Sequence, residues 1–120
     1  MFKYIHSTGL VVDDLDAALA FFVDTLGFEK RIDNVVDGGF RFVTVAPQGA
    51  QTEIGFNLRG DDDDVKSPPT AFIVDDVDAV CDMLKAKQVE IIYGPADEAW
   101  GGRGAVFKDP FGNELYITTA

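Results

Sequence analysis

Few side chains in this 120-residue chain have the type and placement to do chemistry. Trp100, the only tryptophan, lies in Glu98-Ala99-Trp100-Gly101-Gly102-Arg103, a glycine-flanked stretch between two strand-like runs. There an indole either caps the end of a core or stacks on a planar or cationic molecule. Phe40, Phe42 and Phe111 could add aromatic walls, although phenylalanine is more often ordinary core. Arg41 and Arg103 sit near the same strands. A guanidinium there either grips a carboxylate or phosphate through two parallel hydrogen bonds or forms ion pairs on the surface, the latter being the expectation for Arg41. The single cysteine, Cys81, excludes an internal disulfide and a thiolate metal cluster, and is read as core. His6 is the only histidine.

The elements that must position these residues come in two copies. Thr8 to Ala17 (TGLVVDDLDA) returns 62 residues later as Thr70 to Ala79 (TAFIVDDVDA). Val45-Ala46-Pro47-Gln48-Gly49 answers Lys108-Asp109-Pro110-Phe111-Gly112, 63 residues on, and each Pro-x-Gly reads as a hairpin turn. In each copy a β-branched run (Ile5 to Val12 in the first) gives way to helix at an N-cap aspartate, Asp14 or Asp76. Leu15, Ala18, Leu19, Phe22 and Leu26 share one helical face, with Gly27 as the stop; Val77, Val80, Cys81 and Leu84 share the other. Three strands follow each helix, over 28–32, 40–45 and 52–58, then over 89–93, 103–108 and 114–118. The expected architecture is α+β: two tandem βαβββ modules, each a four-stranded mixed sheet with one covering helix, their concave faces forming a cleft. Module 1 spans 1–60, an acidic, proline-ended linker 61–69, and module 2 spans 70–120, all within one domain. Asp61 to Asp64 read as a solvated part of that linker.

Composition narrows the partners. Ten Lys and Arg against twenty-one Asp and Glu give a formal net charge of −11, which repels phosphate backbones and anionic lipid heads alike. Neither nucleic acid nor a membrane surface is expected as a partner. The longest apolar run, Ala17 to Val23, is far short of the ~20 residues that cross a bilayer, and the N-terminus shows no secretory pattern, so a cytoplasmic location is expected.

LVVDDLDAALAFFVDTLGFE in the first copy and AWGGRGAVFKDPFGNELYI in the second resemble the vicinal oxygen chelate superfamily: glyoxalase I, extradiol dioxygenases, fosfomycin-resistance enzymes and bleomycin-resistance proteins. The resemblance spans essentially the whole chain. It implies a site on the concave sheet faces, and in members with chemistry a divalent metal there. Carried over by motif, the four ligand positions of that site fall on Ser7, Glu53, Pro69 and Tyr116. Only Glu53 is a credible ligand. His6 is one residue out of register and belongs with Leu10 on the helix side. One carboxylate cannot hold zinc, nickel or iron, so no metal and no other cofactor is expected.

Strand alternation puts Gly9, Gly55, Asn57, Glu114 and Thr118 on the same face as Ser7, Glu53 and Tyr116. The glycines either leave room for a ligand or accommodate the packing of the twin modules. Trp100-Gly101-Gly102 is similar to the Trp-Gly-Gly segment of bleomycin-resistance proteins, whose tryptophan helps bind the drug. Two functions follow. One is a metal-free protein that binds a small, aromatic and cationic molecule, with Ser7, Phe40, Phe42, Glu53, Asn57, Trp100, Arg103, Phe111 and Tyr116 as candidate contacts. The other is a glyoxalase-like lyase or isomerase with Glu53 as general base and Tyr116 as hydrogen-bonding acid. Relatives close their half-open modules by pairing, so a homodimer is expected.

Overall fold

The computed structural model describes residues 1–60 and 67–120. The chain divides into two compact units, Met1–Ser67 and Pro68–Ala120. Ser67 belongs to the first because its Oγ accepts the Val11 N–H at 2.6 Å. Asp61 to Asp64, the charged part of the linker, lie outside the described residues.

Unit 1 runs β1 (Ser7–Val12), α1 (Leu15–Leu19), β2 (Glu29–Val35), β3 (Arg41–Ala46) and β4 (Glu53–Leu58). Unit 2 runs β5 (Thr70–Ile73), α2 (Val77–Ala86), β6 (Ile91–Asp97), β7 (Arg103–Lys108) and β8 (Glu114–Thr118). The sheet orders are β1-β4-β3-β2 and β5-β8-β7-β6, with β1 parallel to β4, β5 parallel to β8, and the other neighbours antiparallel. The twice-repeated βαβββ module is therefore present. Asp14 and Asp76 cap their helices through Ala17 N–H at 2.8 Å and Ala79 N–H at 3.0 Å. Both Pro-x-Gly turns join antiparallel strands, with Gly49 at φ +76° and Gly112 at φ +86°.

Each sheet buries one face under its helix. Leu10, Val12, Ala18, Phe22, Val43, Val45, Ile54 and Phe56 fill unit 1; Val77, Cys81, Leu84, Ala105, Phe107, Leu115 and Ile117 fill unit 2. Phe22 is the centre of the first core, 5.3 Å from the Phe56 ring and 5.7 Å from Phe28. Cys81 is buried as expected, and burial pushes its thiol above the usual range.

Local winding departs from the sequence reading in three places. Past Leu19 the first helix widens into a π-helical stretch, Ala20–Thr25, which turns Phe21 inward beside Phe22 and leaves Leu19 and Leu26 only half-buried. β1 starts at Ser7 rather than at residue 5. β2 and β6 run on to Val35 and Asp97, because β3 and β7 pair with them all the way to Arg41 and Arg103. At Gly94, with φ +80°, an added Cβ would stand 2.5 Å from the Gly104 carbonyl oxygen, so glycine is what lets bulged β6 approach β7.

The two third-strand arginines lock helix to sheet. Arg41 grips Asp33 through two hydrogen bonds of 2.9 Å and reaches Asp16 in the first helical turn at 2.9 Å. Arg103 grips Asp78 in the first turn of α2 and reaches Asp97 at 3.0 Å. The hydrogen bonds from Arg41, then its charge, hold the Asp33 carboxyl below its ordinary range, and Arg103 does the same to Asp78.

Candidate functional site

The sheet faces away from the helices carry the residues that alternation selects. In unit 1, Ser7 stands opposite Glu53, Gly9 opposite Gly55, and Gly55 opposite Thr44. The room at Gly9 is taken by Asn57, whose Nδ2 lies 2.6 Å from where a Cβ would be. Glu53 is only 13% exposed and already engaged: Thr44 Oγ1 donates to its Oε1 at 2.8 Å, and Arg31 Nη1 lies 3.6 Å from its Oε2. A bulge produces this arrangement. The β2–β3 register shifts between Lys30 and Ile32, making Arg31 the extra residue, and Thr44 Oγ1 accepts the Ile32 N–H at 3.1 Å. The bulge aims Arg31 at Glu53. The guanidinium also bonds Glu29 and the Ala50 carbonyl.

The other unit 1 candidates gather at the far end of the sheet. Phe40, 57% exposed, shares a cavity of about 400 Å³ with Leu15, Arg41, Phe56, Asn57 and Leu58. Phe42 shares the Thr44 face of β3 and is half-buried. His6 is exposed just outside β1, where its carbonyl accepts the Glu53 N–H.

In unit 2, Tyr116 pairs in register with Ala71 and Val106, and with Pro69, Thr70 and Glu114 they line a cavity of about 360 Å³. The Tyr116 phenol reaches over Gly104, where a Cβ would meet its Oη at 2.3 Å and Glu98 Oε1 at 3.0 Å. Next along that face, the Trp100 ring lies over Gly102, with Cζ3 2.2 Å from a would-be Cβ, and is 59% exposed. Tyr93 Oη donates to Glu98 Oε1 at 3.0 Å. That bond, then burial and the Glu98 charge, push the Tyr93 phenol above its usual range. Phe111 sits in the β7–β8 turn, at the opposite end of β7 from Trp100. Thr118 is buried on the Gly104 side, and Arg103 is on the helix side, in its ion pairs with Asp78 and Asp97.

Sequence reasoning missed Arg31, Thr44, Tyr93 and Glu98. The bulge that aims Arg31 has no signature in the residue types. Glu98 did have a signal, because the 62-residue offset that links Thr8 to Thr70 also links Gly39 to Gly101 and Arg41 to Arg103, which superposes the loop before each third strand.

The donor set does not fit a divalent metal. Glu53 is held by a guanidinium and a hydroxyl, Ser7 and Pro69 are not ligands in this setting, and no three His, Cys, Asp or Glu side chains converge among the described residues.

The fold has relatives of known structure. A family model described as the glyoxalase/bleomycin resistance protein/dioxygenase superfamily matches residues 4–117. The chain belongs to that superfamily. A superfamily member from Sphaerobacter thermophilus is 36% identical in its crystal structure, which covers 99% of this chain and 98% of that one with a TM-score of 0.90. TnmS3, an antibiotic binding protein from Streptomyces sp. CB03234, is 30% identical over 98% of this chain and 96% of its own, with a TM-score of 0.85. The uncharacterized protein YetH of Bacillus subtilis is 26% identical over 121 residues, 98% of each chain. The superfamily assignment carries the fold; the chemistry is left to the side chains described above.

Proposed function

We propose that this superfamily member binds a small, aromatic and positively charged molecule on its open sheet faces, without a catalytic metal. The observation that carries the reading is the aromatic surface of unit 2: Trp100 spread over Gly102 and left 59% exposed, and Tyr116 over Gly104, which the Glu98 carboxylate also approaches. A bare indole of this kind is suited to stacking on a planar cation, and the −11 net charge draws cations in. The likeness to an antibiotic binding protein supports a binder over an enzyme. So does Glu53, which with Arg31 and Thr44 on its oxygens is poorly placed to take a proton as a general base.

Ser7, Phe40, Phe42, Glu53 and Asn57 are the contacts proposed in unit 1, and Trp100, Phe111 and Tyr116 in unit 2. Arg103 contributes only if its two carboxylate partners release it. The test is a tryptophan-fluorescence titration with a panel of basic aromatic antibiotics. Saturable quenching or a spectral shift with at least one is expected, and an unchanged spectrum across the panel would overturn the reading. Turnover of the methylglyoxal–glutathione adduct that disappears in Glu53→Gln would put the lyase in its place.

A further inference from the structure

We propose that Glu98, rather than Glu53, is the carboxylate that receives the positive charge of the ligand, and that the ligand class is a planar aromatic carrying a protonated amine. The inference rests on the small-molecule reading above and says where, and by what chemistry, the charge is recognised.

The two third-strand loops show what the turn itself requires. In unit 1 the Val36 N–H bonds the Phe40 carbonyl at 2.7 Å and the Gly39 N–H bonds the Val36 carbonyl at 3.1 Å. In unit 2 the Glu98 N–H bonds the Gly102 carbonyl at 2.7 Å and the Gly101 N–H bonds the Glu98 carbonyl at 3.0 Å. Gly39 and Gly101 both take positive φ, +83° and +104°. The two turns thus close with the same backbone hydrogen bonds, although Gly38 takes a φ of +86° that its counterpart Trp100 does not, and in unit 1 those bonds form with Val36, Gly38 and Phe40 in place. Glu98, Trp100 and Gly102 stand at the three matching positions, so carboxylate and indole are additions that these hydrogen bonds do not need.

These additions form a recognition surface. Glu98 Oε1 accepts from Tyr93, and no Lys or Arg is paired with Glu98 among the described residues. Tyr93, hydrogen-bonded to the half-exposed Glu98, is 46% exposed, and Trp100 in the same turn is 59% exposed, so both rings are accessible to a ligand. Gly102 and Gly104 lack the Cβ atoms that would push Trp100 and Tyr116 away. Glu53, by contrast, already has its cation in Arg31. An ammonium N–H directed at Glu98, with its charge over the neighbouring rings, combines a charge-assisted hydrogen bond with a cation–π contact.

The experiment compares two fluorescent probes of nearly equal shape on the full chain at physiological ionic strength and neutral pH: 9-aminoacridine, which is protonated there, and acridine, which is neutral. The wild type is expected to bind 9-aminoacridine about tenfold more tightly. Glu98→Gln should abolish that preference, Glu53→Gln should keep it, and Trp100→Leu should weaken both probes together. Glu98→Ala gives the same readout if the glutamine variant folds poorly. Equal binding of the two probes, a preference that survives in both Glu98 variants, or one lost only in Glu53→Gln would overturn the assignment while small-molecule binding stands. Probe binding untouched by Trp100→Leu would overturn it too, by placing the probes elsewhere. Failure of both probes, together with an unchanged spectrum across the antibiotic panel, would remove the binding reading and this inference with it.

Discussion

Thr44 shows how one side chain sets the character of a site. It is fully buried, accepts the Ile32 N–H and donates to Glu53, so it fixes the bulge and the carboxylate together. Thr44→Val keeps the shape, strands a bulge N–H and removes the hydroxyl from Glu53. The expected cost is about 1 kcal/mol in a urea unfolding titration, most of it from the partly buried donor left unpaired. A change below about 0.5 kcal/mol would mean that Arg31 alone holds the bulge. Glu98 is the opposite case. Its half-exposed carboxylate supports little of the fold, which frees it for recognition.

At the scale of elements, the same helix-to-sheet clamp is built twice from differently placed acids. Asp97 lies directly opposite Arg103, whereas Asp33 lies opposite Val43, two residues along from Arg41 in the ladder. Asp33 and Asp78 have carboxyl groups held below the ordinary range by their arginines. A depressed native pKa stabilises the fold above the unfolded value, about 3.9, and that contribution is lost as pH falls through the native one. Asp33→Asn and Asp78→Asn are therefore expected to lower the melting temperature at neutral pH, with the gap to wild type closing as pH falls below about 4. A gap that stays constant down to acid pH would show that the clamps act through shape and not through charge. The π-helical stretch, by seating Phe21 and Phe22 side by side, is the other device that ties the first helix to its sheet.

For the whole molecule, two properties follow from the proposed reading. A metal at a hundred times its dissociation constant stabilises a native state by about 2.7 kcal/mol, roughly ten degrees in a domain of this size. With Glu53 paired to Arg31 and no converging donor set among the described residues, zinc, nickel, manganese or iron(II) is expected to shift melting by under about two degrees. A large shift lost in Glu53→Ala would reinstate a metal site. The second property is assembly. Units with one open sheet face each favour pairing with a second copy, so light scattering at micromolar concentration should give twice the 13.1 kDa chain mass. A monomer there would require the site to work within a single chain.

What the sequence determined on its own was whatever repeats or alternates locally: the two βαβββ modules from the 62-residue offset, the aspartate caps, the Pro-x-Gly hairpins, and the faces that set Leu10 and Ile54 inward and Ser7, Glu53 and Tyr116 outward. Such patterns are written in neighbouring residues, and a strand's period of two carries them into three dimensions unchanged. Tertiary structure alone decided how the site is charged. A one-residue bulge turned Arg31 onto Glu53, and the Tyr116 ring of β8 settled on Gly104 of β7, where the Glu98 carboxylate, held by Tyr93, also arrives. Register shifts and cross-strand contacts have no period to betray them, because they depend on which side chain a distant strand offers for packing.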